Sequence, residues 1–204
     1  MYEAILFSLG LMVFSFFIHY KLPVRLLSFA ALLLVAVIIS RNIRSLSDLK
    51  RITGEFISPF ITLLLLISGI ALGIVLTLLY RWHLDLSLLP KTFHLFVITA
   101  ALIGCMEELV FRGFLQEYVK SINGPFSVLF STLSHTGYKC CLFLSPAITA
   151  DINVGFLALW TLLAGILSGT IRHVSKSLLP SLIAHALFDI LVYAEFVSAP
   201  WWVW

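Results

Sequence analysis

Apolar residues in this chain come in long unbroken runs, and nothing else constrains its fold as strongly. The runs at 2–20, 24–40, 56–80, 93–119, 125–145, 154–172 and 178–197 are separated by short polar turns. Most come close to the ~20 residues that carry a helix across a bilayer. A backbone in hydrocarbon must satisfy its own hydrogen bonds, so such runs fold as helices or as a closed barrel. These runs show no period-two alternation, which argues against a barrel. Composition agrees: 61% of the 204 residues are hydrophobic and 11% are charged, against ~25% charged in soluble domains. The expected fold is all-α, a polytopic transmembrane helical bundle of about seven spans in one integral-membrane domain.

The polar turns set the expected topology. Residues 2–20 read as a span and not as a cleaved signal peptide, because no basic segment precedes them and no small-residue cleavage site follows. Lys21, Pro23 and Arg25 mark one tight turn, and Asn123-Gly124-Pro125 marks another. Residues 41–55 hold Arg41, Arg44, Lys50 and Arg51, and a second basic loop holds Arg172, His173 and Lys176. With a cytoplasmic N-terminus, the loops at 41–55, 120–124 and 172–177 fall inside, as basic loops should. Lys21 and Arg25 then lie outside, against that rule. Residues 81–91 read as a loop of mixed charge. Gly69xxxGly73 and Gly165xxxGly169 give two spans a small-residue face for close helix contact. Trp201, Trp202 and Trp204 read as an interfacial anchor. A net charge of +3 is too small to suggest nucleic acid. Cys105, Cys140 and Cys141 form no CxxC and read as buried thiols, with Cys105 near the polar stretch described next.

The fourth run contains Cys105-Met106-Glu107-Glu108-Leu109-Val110-Phe111-Arg112-Gly113. A charge inside a bilayer is costly unless it is paired or lines a wet cavity. Glu108 and Arg112 are four apart, on one helix face, and can pair. Glu107 is rotated by about 100° and is left without an evident partner. His135 lies in the fifth run; His185 and Asp189, again four apart, lie in the seventh. His19, His83, His94 and His173 fall near run ends, within reach of water. Clusters on three spans are satisfied most cheaply by facing one shared cavity.

A Glu beside a His is equipment for activating water by general base catalysis. A second His with a short polar side chain can hold the oxyanion of a tetrahedral intermediate. His and carboxylate side chains also suit zinc. Either route hydrolyses an amide bond. No GxSxG and no HExxH occurs. Ser131 and Ser134 lie near His135, but no third group is evident to orient a Ser–His pair.

Glu107-Glu108-x-x-x-Arg112, a His on the next span and His185-x-x-x-Asp189 together resemble the CPBP family (CAAX prenyl protease and bacteriocin-processing, or Abi) of intramembrane endopeptidases. Its first motif, EExxxR continued by FRG, is present from Glu107 to Gly113. Its second, FxxxH, is met at His135, although Ser131 stands where the Phe is expected and Phe130 lies one residue further back. Its third, HxxxN or HxxxD, is met by His185 and Asp189. The resemblance covers about residues 93–192. It divides the chain into N-terminal transmembrane helices without recognised motifs, 1–92, and a CPBP/Abi-like catalytic core, 93–197.

The resemblance implies a catalytic set of Glu107, Glu108, Arg112, His135, His185 and Asp189. Glu107 would activate water with His135, Glu108 would pair with Arg112, and His185 and Asp189 would stabilise the oxyanion. A divalent metal such as zinc, if one is used, would be held by Glu107, His135 and His185; a glutamate mechanism needs none. The implied partners are the lipid bilayer and a peptide or protein substrate with a membrane-associated segment. Small size and minimal loops imply a bacterial cell (inner) membrane. Two readings compete with the protease. One is a non-catalytic immunity or scaffold protein on the same fold. The other is an ion or proton carrier, which usually shows repeats or broken helices that are not evident here.

Overall fold

The computed structural model describes residues 1–54, 58–147 and 152–197, so the aromatic tail at 201–204 lies outside the described residues. Helices form where the apolar runs are: α1 Tyr2–Phe17, α2 Leu26–Asn42, α3 Leu46–Thr53, α4 Pro59–His83, α5 Phe96–Glu108, α6 Gln116–Val119, α7 Gly124–Leu144, α8 Val154–Ser175 and α9 Leu179–Val192. A π-helical segment, Leu109–Leu115, joins α5 to α6 without a break. No strand occurs among the described residues.

Helix starts are written in the sequence. Ser58, Asn123 and Asn153 each accept a backbone N–H three residues on, at the starts of α4, α7 and α8. Ser45 and Asp48 form a reciprocal capping box on α3. Gly54 ends α3 at φ +90°, where a Cβ would sit 2.5 Å from the Lys176 carbonyl oxygen. Only glycine serves there, and the junction is closed by Leu178 N–H donating to Thr53 O at 2.9 Å.

Both small-residue faces are used as expected. A Cβ on Gly69 or Gly73 would lie 2.7 or 2.8 Å from Pro180 O or Ala184 O, so α4 packs closely on α9. A Cβ on Gly165 or Gly169 would lie 2.7 or 2.8 Å from side-chain carbons of Thr132 or Val128, so α8 packs closely on α7. The α1 helix lies against α2 and α7. Phe7, Leu11, Val35, Phe111, Phe114 and Leu115 make the apolar core there.

The basic loops gather at one end of the bundle. The buried Arg172 donates from Nη2 to Arg51 O and Ile52 O, at 3.0 and 3.2 Å, and pairs with Glu117 at 3.3 Å. At the other end Arg81 corrects the expected loop at 81–91: α4 runs on to His83, and Arg81 is fully buried. Its guanidinium donates to Ser87 O and Leu191 O, at 2.6 and 2.9 Å, and pairs with Glu195 at 3.1 Å.

By length and apolarity, α4 and α8 can each cross a membrane, and α2 with α3, bent by 110°, would make a third span. The expected count of seven is not carried by that criterion. The reason is physical: α1 and α9 have 16 and 14 residues, the π segment interrupts the fourth run, and α7, though 21 residues long, is diluted by Ser, Thr, His135 and Lys139.

Candidate active site

Three elements deliver the polar side chains to one place. The end of α5 supplies Glu107 and Glu108, and the π segment supplies Arg112. The α7 helix supplies His135 and, one turn later, Lys139. The α9 helix supplies His185 and Asp189, also one turn apart. Gly104 on α5 leaves the space that His185 and Asp189 occupy, since a Cβ there would overlap both. All six residues expected at the site are therefore brought together, within a bundle that exposes many large apolar side chains.

Arg112 organises the inner side. It is 1% exposed, and its Nη1 pairs with Glu108 Oε1 at 3.3 Å, the expected one-turn pair. The same nitrogen donates to His135 Nδ1 at 2.8 Å. A ring nitrogen that accepts from a guanidinium carries no proton. The His135 proton is thereby assigned to Nε2, which donates to Glu107 Oε2 at 3.1 Å. Arg112 thus fixes both the second carboxylate and the tautomer of the histidine. Phe111 packs against the His135 ring, with centroids 4.6 Å apart.

His185 bridges the two glutamates. Its Nδ1–H donates to Glu108 Oε1 at 3.0 Å, so Glu108 is shared between Arg112 and His185. Its Nε2 lies 3.8 Å from Glu107 Oε2 and 3.7 Å from Asp189 Oδ2. The expectation that Glu107 has no evident partner is corrected, because Lys139 Nζ makes an ion pair with Glu107 Oε1. Lys139 is the residue that sequence reasoning missed. The signal was available: a cation in an apolar run, four residues beyond His135 and on its face, must have a partner.

Ser131 and Ser134 point elsewhere. Ser131 Oγ donates to Gln116 Oε1 at 3.4 Å, and Ser134 Oγ bonds to Ser8 Oγ and Phe130 O, each at 2.8 Å. Cys105 is a half-buried free thiol.

The donor atoms do not fit a metal ion. Glu107 Oε1 holds Lys139, His135 Nε2 carries the proton it gives to Glu107, and His185 Nδ1 is taken by Glu108. Among the described residues, no group of three or more His, Cys, Asp or Glu side chains is arranged to hold one.

The cluster opens on a cavity of about 320 Å³. Glu108, Arg112, His135, Lys139, His185 and Asp189 line its polar side. Its other walls are apolar and aromatic, with Leu76, Tyr80, Phe143, Trp160 and Phe188. A buried carboxylate held by a histidine thus lies beside an apolar cleft.

Sequence comparison reaches the same class. The family described as type II CAAX prenyl endopeptidase Rce1-like matches residues 89–191, just over half of the chain, and the chain belongs to that family. It is a membrane hydrolase of the protease class, with the CAAX-type intramembrane protease fold. No curated protein sequence and no solved structure matches it.

Proposed function

We propose that this protein is an intramembrane endopeptidase that hydrolyses a peptide bond in a membrane-associated peptide, using water activated by Glu107. One observation carries the reading: Glu107 Oε2 lies 3.1 Å from His135 Nε2 and 3.8 Å from His185 Nε2, and both histidines line an apolar cavity. Seven passes with the basic loops on the cytoplasmic side, in a bacterial inner membrane, complete the proposal.

The steps follow from the donors. Water sits between Glu107 and the scissile carbonyl. Its proton goes to Glu107 as its oxygen adds to the carbonyl carbon. Negative charge collects on the former carbonyl oxygen, where His185 Nε2–H donates to it. Asp189, one turn below, orients that imidazole. The C–N bond then breaks, and the proton on Glu107 passes to the leaving amine. His135 Nε2–H holds Glu107 Oε2 in register throughout. Arg112 keeps His135 in that tautomer and Glu108 charged. No step requires a metal.

The apolar walls favour a substrate with an apolar or lipid-bearing residue near the cut, in keeping with the family's CAAX prenyl peptides. The test is Glu107→Gln in purified protein with a verified substrate. Gln keeps the shape and removes the base, so cleavage should fall by ~10²–10⁴ in protein that still folds, at a lower melting temperature because Lys139 loses its counter-ion. Cleavage close to the wild-type rate would remove Glu107 from the chemistry. A lost cleavage with the cellular phenotype retained would favour a non-catalytic partner.

A further inference from the structure

Lys139 belongs to none of the three motifs that mark the site, yet its ammonium is in direct contact with Glu107 Oε1. We propose that Lys139 is a positioning residue of this protease, whose positive charge keeps Glu107 an anion and fixes which of its oxygens faces the reaction. The proposal rests on the reading of Glu107 as the base.

The first argument is an inventory of charge. The Glu107 side chain is 7% exposed, and a carboxylate so buried is costly without a cation beside it. Arg112 is committed elsewhere, to Glu108 at 3.3 Å and His135 Nδ1 at 2.8 Å. His135 is held neutral by that bond. His185 gives its Nδ1–H to Glu108 and shares its other nitrogen between Glu107 and Asp189, at 3.8 and 3.7 Å. Protonated at both nitrogens, His185 is a cation too, but it is bonded to Glu108 and stands off from Glu107, so Lys139 is the cation in direct contact with Glu107.

The second argument is orientation. The two oxygens of Glu107 are divided, Oε1 to Lys139 and Oε2 to His135 Nε2. Both holds come from α7, one turn apart, so they move as a unit. A carboxylate held at both oxygens cannot rotate, and Oε2 is left as the oxygen facing His185.

The third argument follows the charge through the reaction. As Glu107 takes the proton of water, its negative charge disappears and an equal charge appears on the substrate oxygen. The ammonium stays beside the reacting atoms and balances either anion, in a buried site where such interactions are stronger than in bulk water. The Lys139 side chain is 21% exposed and lines the cavity, so it is on the substrate side of the pair. A lysine that only neutralised Glu107 for folding would not affect turnover in this way.

The experiment compares Lys139→Met, Lys139→Gln and Lys139→Arg with Glu107→Gln, each purified in detergent and assayed on the same peptide substrate for kcat, KM and melting temperature. Met and Gln should lower kcat by at least ~100-fold, the scale seen when one electrostatic donor is removed, with KM little changed. Arg keeps the charge and should restore most of the rate. If Met does not fold, Gln decides, because it retains length and a hydrogen-bonding end. A wild-type kcat in Gln, or a loss confined to KM, overturns the proposal. Glu107→Gln separates the two levels. If it cleaves normally, the base assignment itself fails. If it is inactive while Lys139→Gln cleaves normally, only the role given to Lys139 fails.

Discussion

The first helices and the family-matched core are packed by different means. In residues 1–54 the buried polar side chains are Ser8, Ser15 and Ser28, set among Phe7, Leu11, Val35 and Ile38. Within 89–191 the buried set includes Glu107, Glu108, Arg112, Gln116, His135, Arg172 and Asp189. Apolar contacts are non-directional and tolerate exchange at constant volume. Buried charges do not, since each needs its own partner at its own distance. The difference explains why recognisable motifs begin where they do: only the second region is bound to particular residue identities.

The largest effect should come from the polar region. Arg112→Ala strips a partner from both Glu108 and His135, and breaking a buried pair costs ~3–5 kcal/mol. Folded yield and cleavage should fall together. An Arg112→Ala protein with wild-type melting behaviour and no cleavage would instead place the guanidinium in the chemistry alone.

A smaller effect is expected where the two regions touch. Ser8 on α1 bonds Ser134 on α7 at 2.8 Å, immediately before His135 in the chain. Ser8→Ala should cost ~0.5–1.5 kcal/mol of stability and leave kcat as it is. Lost turnover at unchanged stability would show that α1 positions the site and does more than pack against it.

The smallest effect belongs to α3. Ser45→Ala removes its cap at ~1 kcal/mol, visible as a lower melting temperature with unchanged cleavage. The Ser45 hydroxyl, with the backbone N–H groups of Arg44 and Ser45, holds the Asp48 carboxyl below its usual range. A carboxyl lowered on folding stabilises above its unfolded value, and the contribution is lost as pH falls through its folded value. The difference between wild type and Ser45→Ala should therefore shrink on acidification. A difference constant down to the lowest accessible pH would remove Asp48 from the cap.

Much of this was legible from residues alone, because hydropathy and spacing report local physics. The apolar runs became helices, and the turn read at Asn123-Gly124-Pro125 is where α7 starts. The one-turn spacings at Glu108/Arg112 and His185/Asp189 placed each pair on one face. Contacts between helices were not legible. That Arg112 reaches His135, that His185 reaches Glu108 and that Lys139 reaches Glu107 depend on how α5, α7 and α9 are set against one another. Arg81 was hidden for the same reason, since its partners lie in residues 87, 191 and 195. The π segment has the composition of any apolar helix, and only the hydrogen bonding reveals it.

That segment has a consequence for how the chain tolerates changes in length. The Gln116 N–H reaches back five residues to Phe111 O, one more than an α-helix uses. One surplus residue is thus stored between Glu108 and Gln116, and a single deletion there can be absorbed by winding the turn back to α. The helix would survive such a deletion unbroken and nearly in phase, whereas a second deletion would find no reserve and would swing everything beyond it by about 100° relative to the glutamates. Gln116 would leave Gly169 O, which it now meets at 2.9 Å, and α6 would leave its place beside α7. Length variation beyond that one residue is therefore silent for hydropathy and ruinous for alignment of the parts, which makes the seven residues from Leu109 to Leu115 the phase marker of the whole core.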